Sequence, residues 1–210
     1  MAVYARITAT KGDPARIEEA ITYFRDRVVP GAEKAGGLVS ATLQVDREKG
    51  VGASATLWES LSAMNAAEQL AQQLREQASV TTGLEVLDVD RFEILVFDTP
   101  AEPRPTGFAR VVQIYAQPEK VDALTAFIKG EAHPRVKQYE GFRAFVFGVN
   151  RMTGRCFVTI GFDSEEARAA SENSGAELRK QGANIAGAPQ PKVDHYETVF
   201  VKRVGQPQLA

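Results

Sequence analysis

Apolar residues fall at helical spacing from Ile17 through Ala20, Ile21 and Phe24 to Val28, and the spacing returns at Val121, Leu124, Ile128 and Ala132. Each series makes one apolar stripe along a helix. Pro14 and Pro118 precede them, and proline suits a first helical turn because its missing N–H had no helical partner there. LVSATLQV, the turn DREKG and GASATLW follow the first stripe, the pattern of two strands joined by a glycine-bearing turn. Ser60 and Ser164 are placed to cap a second helix, with Glu165 and Glu166 in its first turn, where carboxylates favour the helix dipole. VDRFEILVF at residues 89–97 and VDHYETVFV at residues 193–201 read as one closing strand written twice. Each half therefore predicts strand, helix, strand, strand, helix, strand.

A single step of 104 residues carries Val89 onto Val193, and also Tyr4-Ala5-Arg6 onto Phe108-Ala109-Arg110, Pro30 onto Pro134, Gly37 onto Gly141 and Leu74-Arg75 onto Leu178-Arg179. One ungapped register through prolines, glycines and apolar positions predicts a duplicated unit. The boundary is expected in TPAEPRPTG, residues 99–107, whose prolines suit an extended connection; residues 1–98 and 108–203 make the two units, and 204–210 a loosely held tail.

The β-α-β-β-α-β order is the ferredoxin-like arrangement, an α+β unit with helices on one face of an antiparallel sheet. If the other face met water, its strands would alternate apolar and polar positions. They do not: Phe92, Ile94 and Val96 oppose Leu95 and Phe97, and Phe142 and Val146 oppose Phe145, Phe147 and Val149. Both faces need cover, and the expected solution packs the two sheets into a pseudo-dimeric α/β barrel within one chain.

A formal charge of −2 without a basic cluster gives nucleic acid no electrostatic footing. No apolar run approaches the roughly 20 residues that span a bilayer, and MAVYARITAT lacks the basic and apolar segments of a signal peptide. A lone cysteine, Cys156, makes no internal disulfide, which suits a reducing compartment. The expectation is a cytoplasmic protein whose partner is a small molecule, with no nucleic acid and no membrane, as a monomeric pseudo-dimer or a homo-oligomer of it.

YARITATKG at residues 4–12, Val29-Pro30, Gly36-Gly37 and Trp58-Glu59-Ser60 resemble the antibiotic biosynthesis monooxygenase type of domain in the dimeric α/β barrel superfamily. The resemblance covers nearly all of the first half and, less closely, the second, where Phe162-Asp163-Ser164 holds the Trp-Glu-Ser place. It implies one of three roles: haem degradation, cofactor-free oxygenation of a phenol or quinol, or a non-catalytic role, either binding a small aromatic or apolar molecule or serving as a structural scaffold with no pocket. The first is disfavoured, because the family's Asn, Trp and haem-ligating His positions fall on Ala5, Ala67 and Gln77, and on Ala109, Ser171 and Gln181. The second needs a base and donors for a developing oxyanion.

His133, in the place of Val29, and His195, in the place of Arg91, are the candidate proton acceptors, and they make the second half the favoured site. His133 is alternatively a solvated helix residue. His195 lies two residues before Glu197 and so on the same strand face, where the two are candidates for an acid–base pair. Arg6 and Arg110 on neighbouring strands are candidate partners for the repeated Glu93 and Glu197, which equally describes a structural ion pair. Trp58, Tyr115 and Tyr196 are candidates to orient a ligand, Trp58 also reading as a core wedge. Cys156 reads as a small buried side chain. No histidine or cysteine spacing suggests a metal, and neither a Walker loop nor a dinucleotide fingerprint is present, so no cofactor is expected.

Overall fold

In the computed structural model, which describes residues 2–100, 102 and 107–205, the chain begins with β1 (Val3–Lys11), α1 (Ile17–Tyr23), α2 (Val29–Ala35) and β2 (Leu38–Asp46). It continues through β3 (Val51–Trp58), α3 (Leu61–Ala66), α4 (Glu68–Thr82) and β4 (Glu85–Asp98). The same succession then returns as β5 (Gly107–Tyr115), α5 (Val121–Phe127), α6 (His133–Val136), β6 (Phe142–Asn150), β7 (Arg155–Phe162), α7 (Glu165–Ala170), α8 (Glu172–Ala186) and β8 (Lys192–Arg203). Most of the expected connector 99–107, and residues 206–210 of the expected tail, lie outside the described residues. Val204 and Gly205 are tied down, both donating their N–H to the Val39 carbonyl.

Local chemistry sets the boundaries. The Ser60 and Ser164 hydroxyls accept the N–H of Ala63 and Ala167, capping α3 and α7. α4 and α8 stop at Gly83 and Gly187 in the left-handed region. Between α1 and α2, Phe24–Val28 winds as a π-helix, and Ile128–Ala132 does the same between α5 and α6. Pro30 and Pro134 explain this, since a proline ring clashes with the carbonyl four residues back and has no N–H to offer. The turn widens, the Val29 and His133 N–H groups reach back to Phe24 and Ile128, and the first helix runs on to Ala35.

Hydrogen bonding passes through the eight described strands in the order β1-β3-β2-β8-β5-β7-β6-β4 and closes as a barrel. This is the α+β barrel that the strand patterning predicts. Two compact units share the chain: one holds the segment up to Phe92 and that from Tyr196, the other Glu93–Pro100 and Gly107–His195. Within the first, β8 pairs with β2, placing Ala41 opposite Lys202 and Val45 opposite Glu197. Within the second, β4 pairs with β6, placing Phe145 opposite Asp98 and Val149 opposite Glu93. The last strand of each βαββαβ set thus completes the sheet of the other set's unit.

Charges mark this exchange. In the first unit Lys202 meets Glu33 at 2.6 Å, and in the second Asp98 meets Lys137 at 2.9 Å. The step of 104 relates Glu33 to Lys137 and Asp98 to Lys202, so the corresponding pairs carry opposite polarity. A strand folded back onto its own set would bring Asp98 to Glu33 and Lys202 to Lys137, each a like-charge contact. The repeated Glu93 and Glu197 find their arginines elsewhere than the sequence expectation of Arg6 and Arg110. Glu197 binds Arg47 at 2.6 Å and Glu93 binds Arg151 at 3.1 Å. Each of these arginines follows β2 or β6 and also reaches α1 or α5, through Glu18 or Asp122.

The second unit holds a buried apolar cluster around Leu124, Phe145, Phe147, Val149 and Phe162. The first holds one around Phe24 and Leu43, with Phe200 edge-on to Phe24 at 5.6 Å, and a separate one around Trp58, Met64 and Leu38. Reversing one partner of the exchange pair, Glu33→Lys, is expected to lower stability by about 0.5–1 kcal/mol, and adding Lys202→Glu to restore most of it. Denaturant midpoints of the two single variants and the double would measure this.

Candidate functional site

The divided core of the first unit leaves a cavity of about 110 Å³ between its helices and its sheet. The sheet supplies the floor. β1 and β3 are antiparallel partners with Arg6 opposite Thr56, Thr8 opposite Ser54 and Thr10 opposite Gly52, and all six line the cavity. Ile17, Ala20, Tyr23 and Phe24 close it from the first helix, and Leu70, Leu74 and Arg75 from α4. The Tyr23 hydroxyl is held by donation to the Leu74 carbonyl at 3.2 Å. The Thr56 hydroxyl accepts from the Trp58 indole N–H at 3.1 Å, whereas those of Thr8 and Ser54 meet no partner among the described residues.

One end of the cavity is cationic. Arg6 is 3% exposed, donates to the Met64 carbonyl at 2.6 Å, and stands 5.8 Å from the centre of the Trp58 ring. Its guanidinium meets Glu68 at 2.7 Å, and Arg75 and Arg91 reach the same carboxylate at 2.8 Å each. Partial burial pushes the Glu68 pKa up, but hydrogen bonds from Arg91 and Arg75 and the charge of Arg6 outweigh this and bring it down to about 2. Burial lowers the pKa of Arg6, with Glu68 opposing.

The second unit has the same frame with a different filling. Val112 lies opposite Val158, Arg110 opposite Ile160 and Ile114 opposite Cys156, so aliphatic side chains and a thiol stand where the first unit has hydroxyls and Gly52. Leu124 occupies the position of Ala20. Gly175 and Gly182 are buried on α8, and a Cβ at Gly175 would lie 3.0 Å from an Arg110 nitrogen, so this helix seats close to the sheet. What remains is a cavity of about 40 Å³. Arg110 is fully buried beside Glu172 and the Ser171 hydroxyl, and does not line it.

The sequence candidates fall into two groups. Arg6 and Trp58 are brought together on the wall of the larger cavity. His133 and His195 line neither cavity. The His133 Nε2 lies 2.9 Å from Asp98, its ring packed 4.8 Å from that of Phe145, so it is partly buried against a carboxylate rather than solvated. His195 takes the place of Arg91 beside the Arg110 cluster. Partial burial and the guanidiniums of Arg168, Arg110 and Arg179 hold its pKa below the ordinary histidine value, with Glu172 opposing. Glu197 is committed to Arg47, Tyr115 is 57% exposed beneath Arg155, and Tyr196 is half-buried. Cys156 is buried, and burial pushes its thiol up to about 11. The hydroxyl floor, Glu68 and Arg75 were not singled out by sequence reasoning. The signal was present in ARITATK against ARVVQIY, where Thr8 and Thr10 align with Val112 and Ile114.

No family model matches the chain. Over 196 residues, 93% of this chain and 83% of the other, it is 25% identical to the uncharacterized protein Rv2558 of Mycobacterium tuberculosis (strain ATCC 25618 / H37Rv). The uncharacterized protein Rv2557 of the same strain is 24% identical over 188 residues, 90% of this chain and 84% of the other. Among solved structures, one described as an anthrone oxidase-like protein superposes with a TM-score of 0.71 at 16% identity, covering 100% of this chain and 96% of that one. A candidate monooxygenase from Lactobacillus acidophilus NCFM gives 0.71 at 10% identity, covering 98% of each chain. The fold is that of the dimeric α/β barrel. In an uncharacterized ferredoxin-fold protein from Listeria monocytogenes 4b F2365, related to antibiotic biosynthesis monooxygenases, this barrel superposes with a TM-score of 0.53 at 12% identity, covering 92% of this chain and 94% of that one. Among the described residues of this dimeric α/β barrel, no group of three or more histidine, cysteine or carboxylate residues is placed to hold a metal, and no helix is long and apolar enough to cross a membrane.

Thr8→Val, which copies the second unit, replaces a hydroxyl on the cavity wall by a methyl group and is expected to raise stability by about 0.5–1 kcal/mol, read as a higher unfolding midpoint. Glu68 sets a pH dependence. Its folded pKa lies below the ordinary 4.5, so its contribution is complete above about pH 4.5 and is lost as the pH falls towards 2. Stability should fall across that window by on the order of 2 kcal/mol, discounted for the 30% exposure of the side chain, and Glu68→Gln should flatten the profile.

Proposed function

We propose that this chain binds one compact, apolar or aromatic molecule between the helices and sheet of its first compact unit, as an antibiotic biosynthesis monooxygenase-like protein of the cytoplasm built from two copies of one unit. The cavity of about 110 Å³ supports the reading, because space of this kind forgoes the dispersion contacts that a packed interior makes. The aliphatic filling of the second unit indicates that the frame itself does not require such space. Arg6 and Trp58 hold the molecule on this reading, with Thr8, Ser54 and Arg75 beside them. Arg110 then serves structure, and Tyr115, Tyr196 and Glu197 stand outside the site.

A second reading, cofactor-independent oxygenation of a phenol or quinol, is favoured by Arg6 and Arg75. Guanidiniums beside a bound phenol favour its ionised form, the form that gives up electrons to dioxygen. The ionisable side chains on the cavity wall are Arg6, Tyr23 and Arg75, which leaves His133 and His195 away from the reacting atoms.

Thermal shift and native mass spectrometry against a panel of aromatic compounds should find binders at one molecule per chain. Ala20→Leu, which places in the first unit the side chain that the second has at Leu124, should abolish binding while the protein stays folded. Binding that survives this change would place the ligand elsewhere. Oxygen uptake with bound hydroquinones would select the oxygenase reading, and binding without uptake the non-catalytic one.

A further inference from the structure

The ion pairs at the cavity do not balance. Arg6, Arg75 and Arg91 converge on the single carboxylate of Glu68 at 2.7–2.8 Å, three cations about one anion. Arg6 and Arg75 line the cavity, whereas Arg91 does not, and it is half exposed to solvent. The Arg6 Nε is buried without a hydrogen-bond partner among the described residues. Two residues along β1, on the same strand face, Thr8 offers its unpartnered hydroxyl, and Ser54 opposite Thr8 offers another. A buried cation short of partners is unfavourable, and such a group in a cavity is a candidate for recognising the opposite charge.

The second unit provides an internal comparison. There Glu172 serves Arg110 and Arg179, and the position of Arg91 holds His195, whose neutral form is favoured. Fewer guanidiniums compete for that carboxylate. Arg110 Nε and an Arg179 nitrogen are also buried without a hydrogen-bond partner among the described residues, but only in the first unit does such a group border the larger, hydroxyl-floored cavity.

We infer that the molecule held in the first unit is an acid: a carboxylate on a compact aromatic body, its charged end received by Arg6, Arg75 and the Thr8 and Ser54 hydroxyls, and its ring against Trp58, Phe24 and Leu74. This rests on the cavity reading given above and adds the chemical class of the ligand. Guanidinium groups suit it because their planar array of donors matches the two oxygens of a carboxylate. Arg91 acts from outside the cavity. By drawing on the charge of Glu68, it leaves Arg6 and Arg75 less neutralised and is a positioning residue for the acid preference.

The test compares each acid with its neutral isostere in the full-length chain: benzoate with benzamide, and 2-naphthoate with 2-naphthamide, by calorimetry at neutral pH. At least one acid is expected to bind 10-fold or more tightly than its amide. Arg75→Gln should remove most of that preference. Arg91→His, which copies the second unit and touches no part of the cavity wall, should reduce it several-fold while amide affinity stays unchanged, a split that a merely structural role would not produce. If the amides bind as tightly as the acids or more so, the charge inference is overturned and the cavity reading stands. If neither acid nor amide binds, or if binding persists unchanged in Ala20→Leu, the cavity reading falls and the inference with it.

Discussion

A sheet left with an unpaired edge exposes a row of backbone donors and acceptors, and this chain answers that constraint by exchange. β2 takes β8 as its neighbour, and β6 takes β4, so each compact unit is completed by a strand from the other βαββαβ set. The polarity of Glu33 with Lys202 and of Lys137 with Asp98 agrees with the crossed pairing and opposes the uncrossed one. Neither pair is buried, so each is worth little as stability. Their value lies in favouring the crossed pairing over the uncrossed one.

On this frame the two units have taken different courses. In the second, Val112, Ile114, Val158 and Ile160 continue the apolar cluster, and glycines on α8 let that helix settle against it. In the first, hydroxyls and Gly52 hold the corresponding places, and the core is divided about the space between them. Hydroxyls without partners among the described residues and guanidiniums that share a single carboxylate occur together on one wall. That coincidence is what supports the proposal of a binding surface there.

The strand and helix periodicities, the capping serines and the apolar character of both strand faces were sufficient to read the α+β barrel from the residues, because each is a local property. The exchange of β4 and β8 was not legible in that way. VDRFEILVF satisfies either neighbouring sheet by pattern alone, and only the charges at Glu33 and Asp98 discriminate. Site reasoning turned to His133 and His195 because histidine is rare here and titrates near neutrality. The structure places His133 against Asp98 and His195 beside the Arg110 cluster, whereas Thr8 and Ser54, individually unremarkable residue types, line the space. Chemical conspicuousness in a sequence reports reactivity and says little about where a helix leaves room.

The crossed strands also bear on how this polypeptide comes to be made whole. While a ribosome is still producing the second set, β2 has β3 but lacks its other final neighbour, since β8 is the last strand of that set. The first set must wait with an open margin at β2 until β8 has been made. A whole first compact unit is therefore the product of both sets together.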